Sequence, residues 1–259
     1  MKLVFKAELR KLKKKVLNEP LSFIPMLIFL YAFFWIITLS ARYIGGDETD
    51  MSPLITHNMM GYIVWFFTIS AVGAIPQTLQ EERALGTYEH LNLSTFNVKN
   101  IFLARSIVNS IQNIFILLLF TLLVNLVHGL KLLAYGPSFV VILVTIPGLY
   151  GFAFILTALL IRTKKIGSWL GLLNFLMIIP ALIQSHVLPP ELRTMLSYWP
   201  VYQSANILRL INLSDLTFYD LQAELLILLL SSMTYFILGF ILFDLANKSA
   251  KKKGILGLY

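Results

Sequence analysis

The chain has 259 residues, 58% of them hydrophobic and only 13% charged. Soluble domains are roughly 45–50% apolar and about 25% charged, so this composition excludes an ordinary water-soluble fold. Lys and Arg outnumber Asp and Glu by 21 to 13, and the absence of cysteine excludes disulfides, Cys-ligated zinc, iron–sulfur centres and thiol nucleophiles.

The first segment, 1–20, carries Phe5, Leu9, Leu12 and Val16 at spacings of four, three and four. That spacing predicts one apolar stripe on a helix lying along the membrane surface, with Lys2, Lys6, Arg10, Lys13 and Lys14 turned toward headgroups and water. Six runs free of Asp, Glu, Lys and Arg follow, at 21–40, 58–80, 106–127, 138–161, 166–188 and 225–243. Each is roughly 20 residues long, enough for a helix to cross a hydrocarbon core about 30 Å thick. The first is too long for the core of a cleaved signal peptide and is expected to be retained. The expected fold is therefore an all-α membrane protein, a single transmembrane domain over 1–259 with six spans.

Within those runs, Asn109, Gln112, Asn113 and Asn125 are the polar amides of the third. They suit either interhelical hydrogen bonds or the wall of a substrate path. Pro147, Gly148 and Gly151 permit a kink or a close approach in the fourth, and Pro180 is placed to kink the fifth. Gly167 and Gly171 form a Gly-x-x-x-Gly packing notch. The exterior segment 189–224 holds Leu192, Met195, Tyr198, Trp199 and Tyr202, and predicts short re-entrant or interfacial helices split near Pro200.

Every Lys and Arg except Arg42, Lys131, Arg193 and Arg209 falls on the segments that share a side with the N-terminus. The positive-inside rule then puts both termini in the cytoplasm of a multi-pass cell-membrane protein. The basic balance reports that orientation and contact with anionic lipid, the tail Lys248, Lys251, Lys252 and Lys253 included, rather than nucleic acid.

Against this basic background the loop 81–105 opens with Glu81, Glu82 and Glu89. Ala84, Tyr88 and Leu91 at i, i+4 and i+7 predict a short amphipathic helix there. Two readings fit: a docking surface for a basic partner, or a solvated helix whose first turn favours carboxylates. The chain contains no His-Glu-x-x-His metalloprotease motif and no Gly-x-x-x-x-Gly-Lys-Ser/Thr, so it cannot bind ATP by a P-loop. No catalytic residue, metal site or bound cofactor is expected. Few ionisable groups lie within the runs, which disfavours an ion-coupled carrier.

The segment Glu81-Glu82-Arg83-Ala84-Leu85-Gly86-Thr87-Tyr88-Glu89-His90-Leu91 resembles the acidic coupling segment of the ABC-transporter type-2 permease family. The outer stretch from Leu196 through Trp199-Pro200 to Arg209 is similar to the family more loosely, and Leu93-Ser94-Thr95-Phe96 lacks the family's following proline. The resemblance implies an exporter's membrane subunit without an ATPase site of its own. It would pair with a second copy or paralogue and bind two ABC ATPase subunits that carry ATP and Mg. Glu81, Glu82 and Glu89 would contact the ATPase, with Arg83, Gly86 and Thr87 in the same coupling segment. The implied cargo is hydrophobic or amphipathic: a drug, an antimicrobial peptide or a lipid-linked molecule. The alternative is an ATPase-independent ion-coupled carrier or a membrane scaffold.

Overall fold

A computed structural model describes residues 2–18, 21, 23–45, 51–94, 96–128, 135–162, 167–214 and 216–252. Every regular element among them is helical: α1 Lys2–Asn18, α2 Phe23–Gly45, α3 Met51–Ala84, α4 Tyr88–Leu93, α5 Val98–His128 and α6 Tyr135–Arg162. These are followed by α7 Gly167–Leu176, α8 Ile178–Leu182, α9 Pro190–Ser197, α10 Pro200–Leu213 and α11 Gln222–Lys252. Gly46, Asp47, Glu48 and Asp50, and the residues Pro20, Thr95, Lys131, Ile166 and Lys253, lie outside the described residues.

Five of these helices, α2, α3, α5, α6 and α11, are long and apolar enough to cross a membrane. They outrun the uncharged stretches that announced them because only the embedded part must be apolar, while backbone hydrogen bonding carries a helix on into water. α3, with 34 residues, is about 51 Å long at 1.5 Å per residue, well beyond a hydrocarbon core of about 30 Å. The expected loop 81–105 is correspondingly shorter, since Glu81–Ala84 complete α3 and Val98–Arg105 begin α5.

The fifth apolar run differs from its expectation. In place of one continuous span it forms α7 and α8, interrupted at Met177, and a 3-10 turn at Ser185–Val187. Pro180 has no N–H to give the carbonyl of Leu176, so the helical ladder breaks one turn before it. Five continuous candidate spans are thus present, with the broken pair beside them.

α3 is the central helix and is largely buried, whereas α2 and α11 leave most of their apolar surface exposed. An aromatic cluster joins three helices: Phe34 packs edge-on to Tyr62 and to Phe120, with ring centroids 5.5 and 5.8 Å apart. The Tyr62 hydroxyl donates to the Leu30 carbonyl at 2.9 Å, which satisfies its one polar atom inside the core. Buried hydroxyls elsewhere turn back onto their own helices, as Thr68, Thr145 and Thr157 do at 2.7–2.8 Å.

α6 and α11 make the closest crossing. A Cβ built on Gly239 would fall on the backbone of Gly151, and one on Gly151 would fall on the backbone of Tyr235 and Phe236. Gly148 meets Ser232 and Pro200 in the same way, with Pro200 at the head of α10. The split at Pro200 is where the outer segment was expected to divide, and both α9 and α10 carry proline in their first turn. α9 buries nothing, while α10 buries most of its length between α3 and α6.

Candidate functional site

At one end of the bundle the acidic segment is tied to α1 through Glu82, Arg105 and Glu8 and to the C-terminal part of α11 through Tyr88 and Asn247. α3 ends on a Schellman motif. Gly86 takes φ 68°, its amide donates to the Arg83 carbonyl, and the amide of Thr87 reaches back to Glu82, both at 2.9 Å. These are the 5→2 and 6→1 bonds of a left-handed glycine cap. The single stripe expected through Ala84, Tyr88 and Leu91 is therefore cut in two. Ala84 closes α3, and Tyr88 and Leu91 belong to a separate six-residue helix, α4, set at an angle by the cap. A Cβ on Gly86 would meet no neighbour within 4 Å, so Gly86→Ala is opposed by the backbone alone. It is expected to destabilise the protein by roughly 1–2 kcal/mol. Gly86→Asn should lose less, because Asn tolerates that region better; thermal melting in detergent reads both.

The three carboxylates have different fates. Glu82 is mostly covered: it accepts from the Thr87 hydroxyl and from Arg105 Nη1 at 2.7 Å. Arg105 also donates through Nε to Glu8 at 3.2 Å, and Glu8 pairs with Lys11. One guanidinium thus ties α1, α3 and α5 together. Glu81 and Glu89 are exposed, in company with Leu85 and Leu93, which are 74% and 82% exposed. Arg83 places its guanidinium 5.6 Å from the centre of the Tyr88 ring.

α4 is held from the other side by α11. The Tyr88 hydroxyl, fully buried, donates to Asn247 Oδ1 at 2.8 Å; Asn247 donates to Asn92 at 3.0 Å; and Lys251 donates to the Asn92 carbonyl at 3.1 Å. Next to this latch Asp244 pairs with Lys248 and Lys99 at 2.8 and 3.7 Å. Sequence reasoning counted Glu8, Arg105 and the tail lysines as topology charges and passed over Asn92 and Asn247. The available signal was an amide at Asn247 one helical turn from Asp244 and Lys251, just beyond the uncharged run 225–243.

Phe5, Leu9, Leu12 and Val16 are all half-buried, while Lys6, Arg10, Lys13 and Lys14 are exposed. α1 lies against α5, and Val16 of that stripe packs on the core. Between α1, α3 and α5 lies a cavity of about 530 Å³ whose walls include Glu81, Gln77, Arg105, Asn109 and Gln112.

The third-run amides separate. Asn109 donates to the Tyr150 hydroxyl at 3.2 Å and more weakly to the Ser70 carbonyl at 3.4 Å, so it joins three helices and also faces the cavity. Gln112 lines the same cavity, and Asn113 is buried away from it with no partner for its amide nitrogen among the described residues. Asn125 is half-buried, about 24 Å further along the helix from Asn109, and belongs to neither group. Of the glycine notch, Gly171 faces open space with nothing within 4 Å, and Gly167 starts α7, its surroundings lying outside the described residues. Among the described residues no cluster of His, Asp or Glu is arranged to hold a metal ion. No family model matches the chain, and no curated protein matches it.

Proposed function

We propose that this chain is the membrane subunit of an ATP-driven exporter, with α4 as the element on which separate ATPase subunits act. The observation that carries the reading is mechanical. A short helix set off from α3 by a glycine cap is latched to α11 through Tyr88–Asn247, and its hinge is tied to α1 and α5 through Glu82–Arg105–Glu8. A push on such an element reaches several helices at once, because each link is a directed hydrogen bond rather than a sliding apolar contact. Exposed Glu81 and Glu89 beside exposed Leu85 and Leu93 give the element a face for a basic partner with an apolar socket. Gly171, with open space before it, suits a helix of a second copy or paralogue. Two ATPase subunits, binding ATP and Mg, complete the assembly. The polar cavity at Asn109 and Gln112, beside the lipid-facing side of α5, suits a hydrophobic or amphipathic cargo with a polar head. The membrane is the cell membrane, with both termini cytoplasmic.

Purification from the native membrane in mild detergent, with identification of co-purifying chains, tests this. The wild type is expected to retain a Walker-motif ATPase, and Glu81→Lys/Glu89→Lys to lose it while melting like the wild type. Both carboxylates are exposed, so their reversal leaves the internal ties alone. Intact protein that captures no ATPase even after cross-linking overturns the reading. Transport that survives ATP depletion and collapses with an ion gradient would favour the carrier instead.

A further inference from the structure

Arg209 lies on α10, at the other end of the bundle from the coupling segment, and is 5% exposed. Its guanidinium donates to three carbonyls: Nε to His57 at 3.3 Å, Nη1 to Ile183 at 3.0 Å, and Nη2 to Ala181. Gly61 makes the room, since a Cβ there would overlap both Nη2 and the Ala181 oxygen. A guanidinium keeps its proton in proteins, so Arg209 is a cation at any physiological pH.

Three carbonyls satisfy three of the five N–H donors of a guanidinium. They offset its charge only as dipoles, and no carboxylate reaches Arg209 among the described residues. A buried cation without a counter-ion is costly. Arg209 is not sealed in, however: it forms part of the wall of a cavity of about 390 Å³. The other polar groups on that wall are the imidazole of His57, the amides of Gln184 and Asn206 and the hydroxyls of Ser185 and Ser214. Ser185 donates to Asn206 Oδ1 at 2.7 Å, which orients the Asn206 carboxamide and leaves its NH2 as a donor. Asn206 and Arg209 are three apart on α10 and share a face. Leu210 and Leu213 continue the wall as an apolar flank. The volume falls in the range of small-molecule sites, about 300–1,000 Å³.

We infer that this cavity is a binding site for an organic anion, its phosphate or carboxylate head paired with Arg209 and the Asn206 amide and its apolar part against Leu210 and Leu213. The inference is independent of the exporter reading, because it uses neither the coupling segment nor an ATPase.

The test uses the full chain purified in an uncharged detergent, with octyl phosphate, inorganic phosphate and octanol as probes and the melting temperature as readout. Octyl phosphate is expected to raise it saturably, and octanol to leave it unchanged. The decisive variant is Asn206→Asp, which keeps the acceptor for Ser185 and supplies a carboxylate where the ligand's head would sit. It should melt higher than the wild type without ligand and bind octyl phosphate at least about tenfold more weakly. Because Arg209 stays in place, its bonds to the three carbonyls are undisturbed, and any general stabilisation by phosphate salts is common to both proteins. Inorganic phosphate as effective as octyl phosphate identifies a free anion as the ligand; octyl phosphate alone identifies an amphiphile, such as a lipid headgroup. No shift with either phosphate, or an equal shift in Asn206→Asp, overturns the inference.

Discussion

Arg105→Ala is expected to release the N-terminal helix from the bundle. Arg105 lies between two carboxylates, Glu82 at 2.7 Å and Glu8 at 3.2 Å, and both carboxylates are only 15% exposed. Its removal leaves two half-buried negative groups facing each other, with Lys11 at 3.2 Å as the remaining cation on Glu8. A charge-assisted hydrogen bond is worth about 1.5–3 kcal/mol, less where solvent reaches it. Arg105 itself is 25% exposed, so a loss of about 2 kcal/mol is expected for the pair of contacts. That is enough to matter for α1, which is held by one half-buried apolar stripe and this triad. Amide exchange over residues 2–18 should accelerate, and trypsin should cut sooner at Lys13 and Lys14. Glu82→Gln should do less, since the amide oxygen still accepts from Arg105 while its NH2 can donate to the Thr87 hydroxyl oxygen. Lys11→Ala, at a side chain 68% exposed, should change little. In the exporter reading Arg105→Ala also separates ATP hydrolysis from transport, because the push on α4 no longer reaches α1. Unchanged exchange over α1 would show that the apolar stripe alone holds the helix, and would remove the triad from the mechanism.

Long uncharged runs announced the five continuous candidate spans because a helix in lipid must be apolar along its embedded length, and that demand is written residue by residue. The fifth run shows where such reading stops. Nothing in its hydropathy distinguishes a continuous helix from α7 and α8, and Pro180 marks a kink in one context and a break in another. Gly86 was read as one member of an acidic helix, yet a glycine between two helical stripes is also the commonest left-handed cap, and the φ of 68° decides for the cap. Tyr88 followed the apolar stripe of that helix and is indeed buried, but its hydroxyl partner is 159 positions away in the chain. Local periodicity cannot supply such a partner. Arg209 was counted among the few outer positive charges, although a lone arginine between Leu208 and Leu210 on a helix rich in isoleucine and leucine already indicated a buried cation. Charge counting sorted it by side of the membrane when the informative fact was its neighbours.

Gly239→Leu is expected to have the largest effect on folding of any single change in the chain. The contact between α6 and α11 is backbone against backbone where Gly239 lies over Gly151, and Ser232 packs its hydroxyl and Cα against Gly148. Ser232 and Gly239 are seven apart, two helical turns, and so lie on one face of α11. In lipid no hydrophobic effect draws helices together, and close van der Waals approach between small residues must supply the attraction. A leucine at 239 has no flexible neighbour to displace, because the first atoms it meets belong to the Gly151 peptide. The helices must separate along the whole crossing, which also loosens Phe154 against Phe240 and Phe243, whose ring centroids now lie 5.7 and 5.4 Å away. Overpacking in a rigid core costs about 1–3 kcal/mol, occasionally more, and this site should fall at the upper end. Gly239→Ala should show the same effect in smaller degree. Leu238→Met, one position along and half exposed toward the membrane, should be nearly neutral. Unfolding by titration of a denaturing detergent into the purified protein reads all three. If Gly239→Leu and Leu238→Met unfold together, the crossing is not where the bundle gains its stability, and α11 is held by the latch at Tyr88 and Asn247 instead.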